Sequence, residues 1–225
     1  MTQTLGKKKV CLNSILTDID IEKIVYQDEK VVLLNGDCRE LVGNLHAKFD
    51  LVFTDPPFNL EMTYDYVSTM FGKCKGHCFV MHNERHLARL IAANDKYFSR
   101  MYAIDTVVPN LVSNKAPMQL ADFIAEFRFS KTKFINNGDC FSNLLRIAKI
   151  RNKKNISKNF DKKTILPGTF IQNFSNEGDI IFDPFAGSCS TLVAAKITGR
   201  YAIGIEKYKG VCMQAEKILK IKTLF

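Results

Sequence analysis

Thr54-Asp55-Pro56-Pro57-Phe58 closes an apolar run with four residue types suited to one kind of ligand. Asp55 is a carboxylate, an acceptor without donors. Pro56 and Pro57 fix the backbone and carry no N–H, so their carbonyls are pure acceptors. Phe58 supplies a flat apolar face. A planar ring bearing an exocyclic amine has the complementary set: two N–H donors and a stacking surface. Asp55 and the Pro56 carbonyl can accept one hydrogen bond each while Phe58 stacks on the ring.

A second acidic turn lies far downstream, in Asp179–Thr191 (DIIFDPFAGSCST). Its pattern is strand, acid, small-residue loop, helix start. Ala186 and Gly187 allow a ligand to approach the backbone, and a helix N-terminus offers unpaired N–H groups to a carboxylate or phosphate. The next apolar run ends in Glu206, 19 residues beyond Gly187. An acid about 20 residues past a glycine loop is suited to ribose hydroxyls. The chain contains neither GxGxxG nor GxxxxGK[ST], which points away from dinucleotides and triphosphates towards a smaller nucleoside cofactor. A third acid, Asp37 in Asn35-Gly36-Asp37-Cys38, also closes an apolar run and could accept from an adenine amino group.

On these motifs the chain resembles the S-adenosylmethionine-dependent amino-methyltransferases of DNA. That family carries a DPPY/F tetrapeptide, a DPFxGSGTT loop and a following strand ending in Glu. The order here is GDC, DPPF, a basic stretch, DPFAGS and GIE, similar to the permuted β-group of these enzymes. The likeness covers roughly residues 30–130 and 160–220. It implies a Rossmann-like α/β fold: a seven-stranded, mostly parallel sheet with helices on both faces. It implies that Asp55, Pro56, Pro57 and Phe58 are catalytic. Asp183, Phe185, Ala186, Gly187 and Ser188 would line the methionine part of S-adenosyl-L-methionine. Glu206 would take the ribose, Asp37 and Cys38 the adenine end, and Lys162 falls by spacing on a family lysine near the methionine end. Aspartate at the first motif position is typical of adenine-N6 enzymes, so the activity implied is methyl transfer to a flipped adenine. Cytosine-N4 or RNA methylation, and a catalytically impaired DNA-binding homologue or partner subunit, are the alternatives. Two positions depart from the family loop: Cys189 replaces a glycine and Ser190 a threonine.

Charge adds a partner. The chain of 225 residues has a net charge of +9, and residues 131–163 hold +8 of it. A basic stretch on a near-neutral body suits a polyanion. Lys131, Lys133, Arg146, Lys149, Arg151, Lys153 and Lys154 are the expected phosphate contacts. Tyr64, in an expected lid over 59–75, would face the base. The partner expected is double-stranded DNA, with a homodimer as a further expectation. No apolar run is long enough for a membrane span and no signal peptide is apparent, so a cytoplasmic protein is expected. Seven cysteines without framework spacing suit reduced thiols. Cys74, Cys78, His82 and His86 recur every four residues, but the interval is short for a zinc pair, and no metal is expected.

The elements that must position these residues follow from hydrophobic period. Val31–Asn35, Asp50–Thr54, His77–Met81, Tyr102–Val108, Asp179–Phe182 and Tyr201–Ile205 are continuous apolar runs, as in strands buried on both faces. Asn83–Ala93, Pro167–Phe174, Ser190–Thr198 and Val211–Ile221 have helical spacing. The alternation predicts an α/β sheet with helices on both faces, and the resemblance implies that residues 1–225 form a single methyltransferase domain. Residues 131–163 are expected to form a short insertion for target recognition, with a short helix at Phe141–Ile150.

Overall fold

The apolar runs that end in acids become neighbouring strands of one sheet. The computed structural model describes residues 10–57, 70–110, 119–130, 134–135, 142–146 and 163–221. The strands are β1 (Ile24–Gln27), β2 (Val31–Asn35), β3 (Phe49–Thr54), β4 (Cys74–His82), β5 (Phe98–Asn110), β6 (Gln119–Arg128), β7 (Leu144–Arg146), β8 (Ile180–Asp183) and β9 (Tyr201–Glu206). The α-helices are α1 (Cys38–Leu41), α2 (Glu84–Ala93), α3 (Ile165–Phe174), α4 (Ser190–Ile197) and α5 (Lys209–Ile221). Among the described residues no helix is long and apolar enough to cross a membrane.

The sheet order is β1-β2-β9-β8-β3-β4-β6-β5-β7. From β2 to β4 all pairs are parallel, whereas β6 runs antiparallel to both β4 and β5. The seven expected strands are thus the block β2 to β5. A short antiparallel β1 and a three-residue β7 extend its two edges. The fold is a doubly wound, Rossmann-like α/β sheet with helices on both faces.

Alternation along each strand divides the core. One face collects Leu51, Phe53, Phe79, Tyr102, Ile124 and Ile181 beneath α3, α4 and α5. The other collects Val52, Val80, Phe127, Phe182 and Ile203 against α1, α2 and the N-terminal turns. Phe170 of α3 is the hub of the first face, with ring centroids 4.7 Å from Phe79 and 5.4 Å from Phe53. On the second, Phe49 and Phe182 stack at 4.2 Å. Burial of this apolar surface, at about 25 cal/mol per Å², is the main force holding the helices to the sheet.

Two expectations change. The helix expected over Phe141–Ile150 is replaced, where the chain is described, by strand β7. Leu145 is buried there and pairs with Ile104, so the partner strand β5 outweighs a local helical period. The expected lid ends earlier than 75: residues 70–73 are helical and Lys75 lies in β4. Met70 and Phe71 are buried, which anchors that end in the core.

Candidate active site

β8 and β3 are adjacent and parallel, yet the chain leaves them in opposite directions: β8 leads to β9 and β3 leads to β4. Such a switch in winding opens a crevice beyond the carboxyl ends of the strands. Both acidic turns are there. In register, Leu51 faces Ile181 and Val52 faces Phe182, so Phe53 is level with Asp183 and Asp55 stands two residues further out. The two motifs, far apart in sequence, therefore form opposite lips of one opening.

Asp55 is exposed at the mouth, although protein surrounds its carboxyl on several sides. That partial desolvation, with the nearby carboxylates Asp183 and Asp122, pushes its pKa up to about 7. Pro56 is buried and Pro57 exposed. Phe58 and Tyr64 lie outside the described residues.

Asp183 is 4% exposed, and burial raises its pKa to about 6. The Phe185 N–H donates to its Oδ1 at 3.1 Å, and Thr191 also holds it. The Thr54 hydroxyl assists only at looser range, since it has no partner of good hydrogen-bond geometry. Between Asp183 and α4 the loop turns tightly. Gly187 has φ 49°, in the left-handed region, and Cys189 follows with φ 62°. Cys189 is the N-cap of α4 and is wholly buried, so the position where the family keeps glycine does require a left-handed backbone. Ala186 is buried beside it.

The neighbouring strand explains how the loop is held. A Cβ on Gly204 would stand 2.7 Å from Leu192 and 2.9 Å from the Ala186 Cβ. β9 thus lets the loop and α4 sit directly on its backbone. Glu206, at the end of β9, accepts from the Gly187 N–H at 3.0 Å and from the Tyr208 N–H at 2.8 Å. A carboxylate has about four acceptor sites, so two remain for hydroxyls. The first helical bond of α4 is Val193 N–H to the Cys189 carbonyl. The N–H groups of residues 190–192 therefore lack helical acceptors, as at any helix start. This donor and acceptor set fits a nucleoside carrying an amino-acid tail.

Asp37 caps α1 and is more committed than its sequence suggested. Its Oδ1 accepts from the Arg39 N–H and Nε at 3.0 and 2.9 Å. Its Oδ2 accepts from Arg39 Nη2 and, at 3.0 Å, from Lys207 Nζ. These contacts fill its acceptor sites and hold its carboxyl far below the usual carboxylate range. An adenine amine can reach Asp37 only where an exposed Arg39 or Lys207 side chain gives way. Cys38 is buried beneath the turn.

Of the expected nucleic-acid contacts, Arg146 is described. It lies half exposed on β7, 3.2 Å from Asp105. Lys131, Lys133, Lys149, Arg151, Lys153 and Lys154 lie outside the described residues, as does Lys162. Sequence reasoning missed Asp122, on β6, whose charge reaches Asp55. The only sequence signal was an acid opening an otherwise apolar run.

Comparison with known proteins bears on this geometry. A family model described as DNA methylase, of the N6/N4 class, matches residues 113–217. The type II methyltransferase M.BamHI of Bacillus amyloliquefaciens is 24% identical over 96% of this chain, which spans 63% of that protein. The DNA adenine methyltransferase YhdJ of Escherichia coli (strain K12) is 23% identical over 80% of both chains. Among solved structures, M1.HpyAVI superposes with TM-score 0.69 at 20% identity, covering 84% of this chain and 98% of that one. The cytosine-N4-specific PvuII DNA methyltransferase superposes with TM-score 0.68 at 18% identity, covering 89% and 94%. The motif order, the switch-point placement of both acidic turns and these matches agree: the chain resembles the N6/N4 DNA methyltransferases, whose family model matches it over residues 113–217.

Proposed function

We propose that the chain transfers a methyl group from S-adenosyl-L-methionine to the exocyclic amine of a base in DNA, and that the base is adenine. The observation that carries this reading is the pairing of Asp55 and Asp183 across one crevice at the switch point. Asp55 in place of serine favours adenine-N6. The relative named an adenine methyltransferase agrees with that choice. The cytosine-N4-specific neighbour, of nearly equal structural likeness, keeps cytosine as the second reading.

The bound cofactor supplies an electrophilic methyl group on a sulfonium. Glu206 would hold the ribose hydroxyls, and the α4 N-terminus would hold the methionine carboxylate. Asp183 would face the methionine ammonium. Asp55 and the Pro56 carbonyl would accept the two amine N–H bonds. The amine is a weak nucleophile because its lone pair is delocalised into the ring. Those two acceptors stabilise the positive charge that grows on nitrogen during attack. Holding nitrogen in line with the methyl group supplies much of the remaining acceleration. The base must leave the duplex to reach the crevice, at a cost of a few kcal/mol that stacking on Phe58 would offset in part. The basic residues of 131–163 would supply salt-sensitive phosphate contacts.

The test is incubation with labelled cofactor and unmethylated double-stranded DNA, followed by nucleoside analysis. N6-methyladenine is expected; N4-methylcytosine would replace the adenine reading. Asp55→Ala should lose at least about 100-fold in rate, on the scale of removing one charge-stabilising contact, while still binding cofactor. Near-normal transfer by that variant would refute the role of Asp55.

A further inference from the structure

Asp122 is not part of either sequence motif, yet it belongs to the same crevice. Along β3, Leu51 and Phe53 point to the α3 face, so Asp55 continues on that side. Along β6, Ile124 points to the α3 face, and Glu126 meets Tyr102 there, which puts Asp122 on it too. Register completes the placement. Thr54 pairs with Val80, and Met81 pairs with Ile124, so Asp122 stands beyond the level of Asp55 with only β4 between their strands. Strand spacing and residue rise make the separation on the order of 10 Å.

Among the described residues, the charged groups that raise these two carboxyls are all acids. Asp183 faces Asp55 from β8, and Glu206 lies behind it on β9. Glu84, at the start of α2, faces Asp122. The ion pair of Asp105 with Arg146 is on neighbouring positions of β5 and β7 whose parity is the opposite face. His82 likewise alternates to the opposite face of β4. Burial and Glu84 hold the Asp122 carboxyl above its ordinary range, so its charge is strongest at neutral pH and above.

We propose that Asp122 is a positioning residue for the transfer: from the Asp55 side of the sheet, its negative charge keeps the Asp55 carboxylate basic enough to take the proton that the amine must lose. This rests on the methyltransferase reading above. In the step, the amine lone pair forms the N–CH3 bond as the S–CH3 bond breaks. The sulfur keeps that electron pair and becomes a neutral thioether. The amine nitrogen carries one proton too many, and the Asp55 carboxylate accepts it before passing it to water. A proton acceptor works best when its own affinity for the proton lies near the working pH, a balance that partial burial of Asp55 sets and the two flanking carboxylates extend. The same charges favour the cationic sulfonium over its neutral product, which helps loading and release.

The experiment measures single-turnover methyl transfer to DNA between pH 5 and 9 for the wild type, Asp122→Asn and Asp122→Glu. The wild-type rate should rise with a midpoint near 7. For Asp122→Asn the rise should move to lower pH. At pH 6 the variant should then run at roughly two- to threefold the wild-type fraction of its own plateau, the effect of one charge on the order of 10 Å away at an intermediate dielectric. Its plateau should fall, because a weaker base takes the proton less well. Asp122→Glu should restore the wild-type midpoint. Where Asn impairs folding, Asp122→Ser reads the same charge loss. An unmoved midpoint in the neutral variants, with or without a lower plateau, overturns the proposal. Absence of transfer by the wild type at every pH instead overturns the activity itself.

Discussion

Cys189 offers a direct measure of how this copy of the fold tolerates its own loop. Its φ of 62° places a residue with a Cβ in the left-handed region, which costs roughly 1–2 kcal/mol. Its thiol is fully buried, in a cluster with Leu192, Val193 and Ala215. Cys189→Ala removes one buried heavy atom, a loss of about 1 kcal/mol. Going further to Gly removes the Cβ, a loss of about 0.8 kcal/mol of burial, and adds about 0.4–1 kcal/mol of unfolded-state entropy. At an unstrained site Gly would therefore be less stable than Ala by about 1.5 kcal/mol. Here relief of the left-handed strain offsets nearly all of that. Cys189→Gly and Cys189→Ala are expected to melt within about 1.5 °C of each other, given about 2–4 °C per kcal/mol for a chain of this size. The assay is thermal unfolding of both variants without cofactor. A Gly variant melting about 4 °C or more below the Ala variant would refute the strain argument.

Gly204→Ala should destabilise by about 1–3 kcal/mol and weaken cofactor binding, because its Cβ would displace Ala186 and Leu192; calorimetric titration with cofactor reads the second effect. Asp183 gives a pH signature. Its folded pKa, near 6, lies above the usual aspartate value, so its favourable contribution is complete below the unfolded pKa of about 3.9 and is lost as pH rises through 6. Asp183→Asn should therefore flatten the fall in melting temperature between about pH 4 and 7, and an unchanged slope would count against the shift. Glu126 holds His77 at 3.0 Å and Tyr102 at 2.8 Å in the core, so Glu126→Ala should cost about 3–5 kcal/mol, visible as a loss of urea resistance. Lys207→Ala frees one acceptor site on Asp37, and cofactor affinity should rise by up to about fivefold, the scale of one exposed ion pair; a fall would show that Lys207 holds the ligand instead.

Legibility in the sequence followed the physics of each element. Strands buried on both faces, such as Val31–Asn35 and Tyr201–Glu206, are continuous apolar runs and were readable in place. β1 was missed because it is short and partly exposed at an edge. β6 was missed because charged residues interrupt it; Glu126 looks like a surface residue until His77, Tyr102 and Arg128 are brought to it. The short β7 owes its extended form to Ala103–Asp105 of β5, a partner that no local pattern announces. At the site, the four acids Asp37, Asp55, Asp183 and Glu206 were readable because each closes an apolar run. Lys207, which also occupies Asp37, was not, since it comes from the opposite end of the chain. Asp122 was hidden for the same reason: its relation to Asp55 exists only through strand order.

The β3–β8 seam has a consequence for how the molecule assembles. Its ladder is short, Leu51 with Ile181 and Val52 with Phe182, and it is reinforced by Asp50, which accepts from the Ile180 N–H at 2.9 Å. The residues it joins are separated by 130 positions, a costly loop to close. Strands β3 to β7 on one side, and β8 with β9 on the other, can each gain local contacts before that closure. The crevice exists only after it. Joining the two blocks is thus expected to be a late folding event. A chain stalled before it would hold both acidic turns correctly made and have no place where they meet.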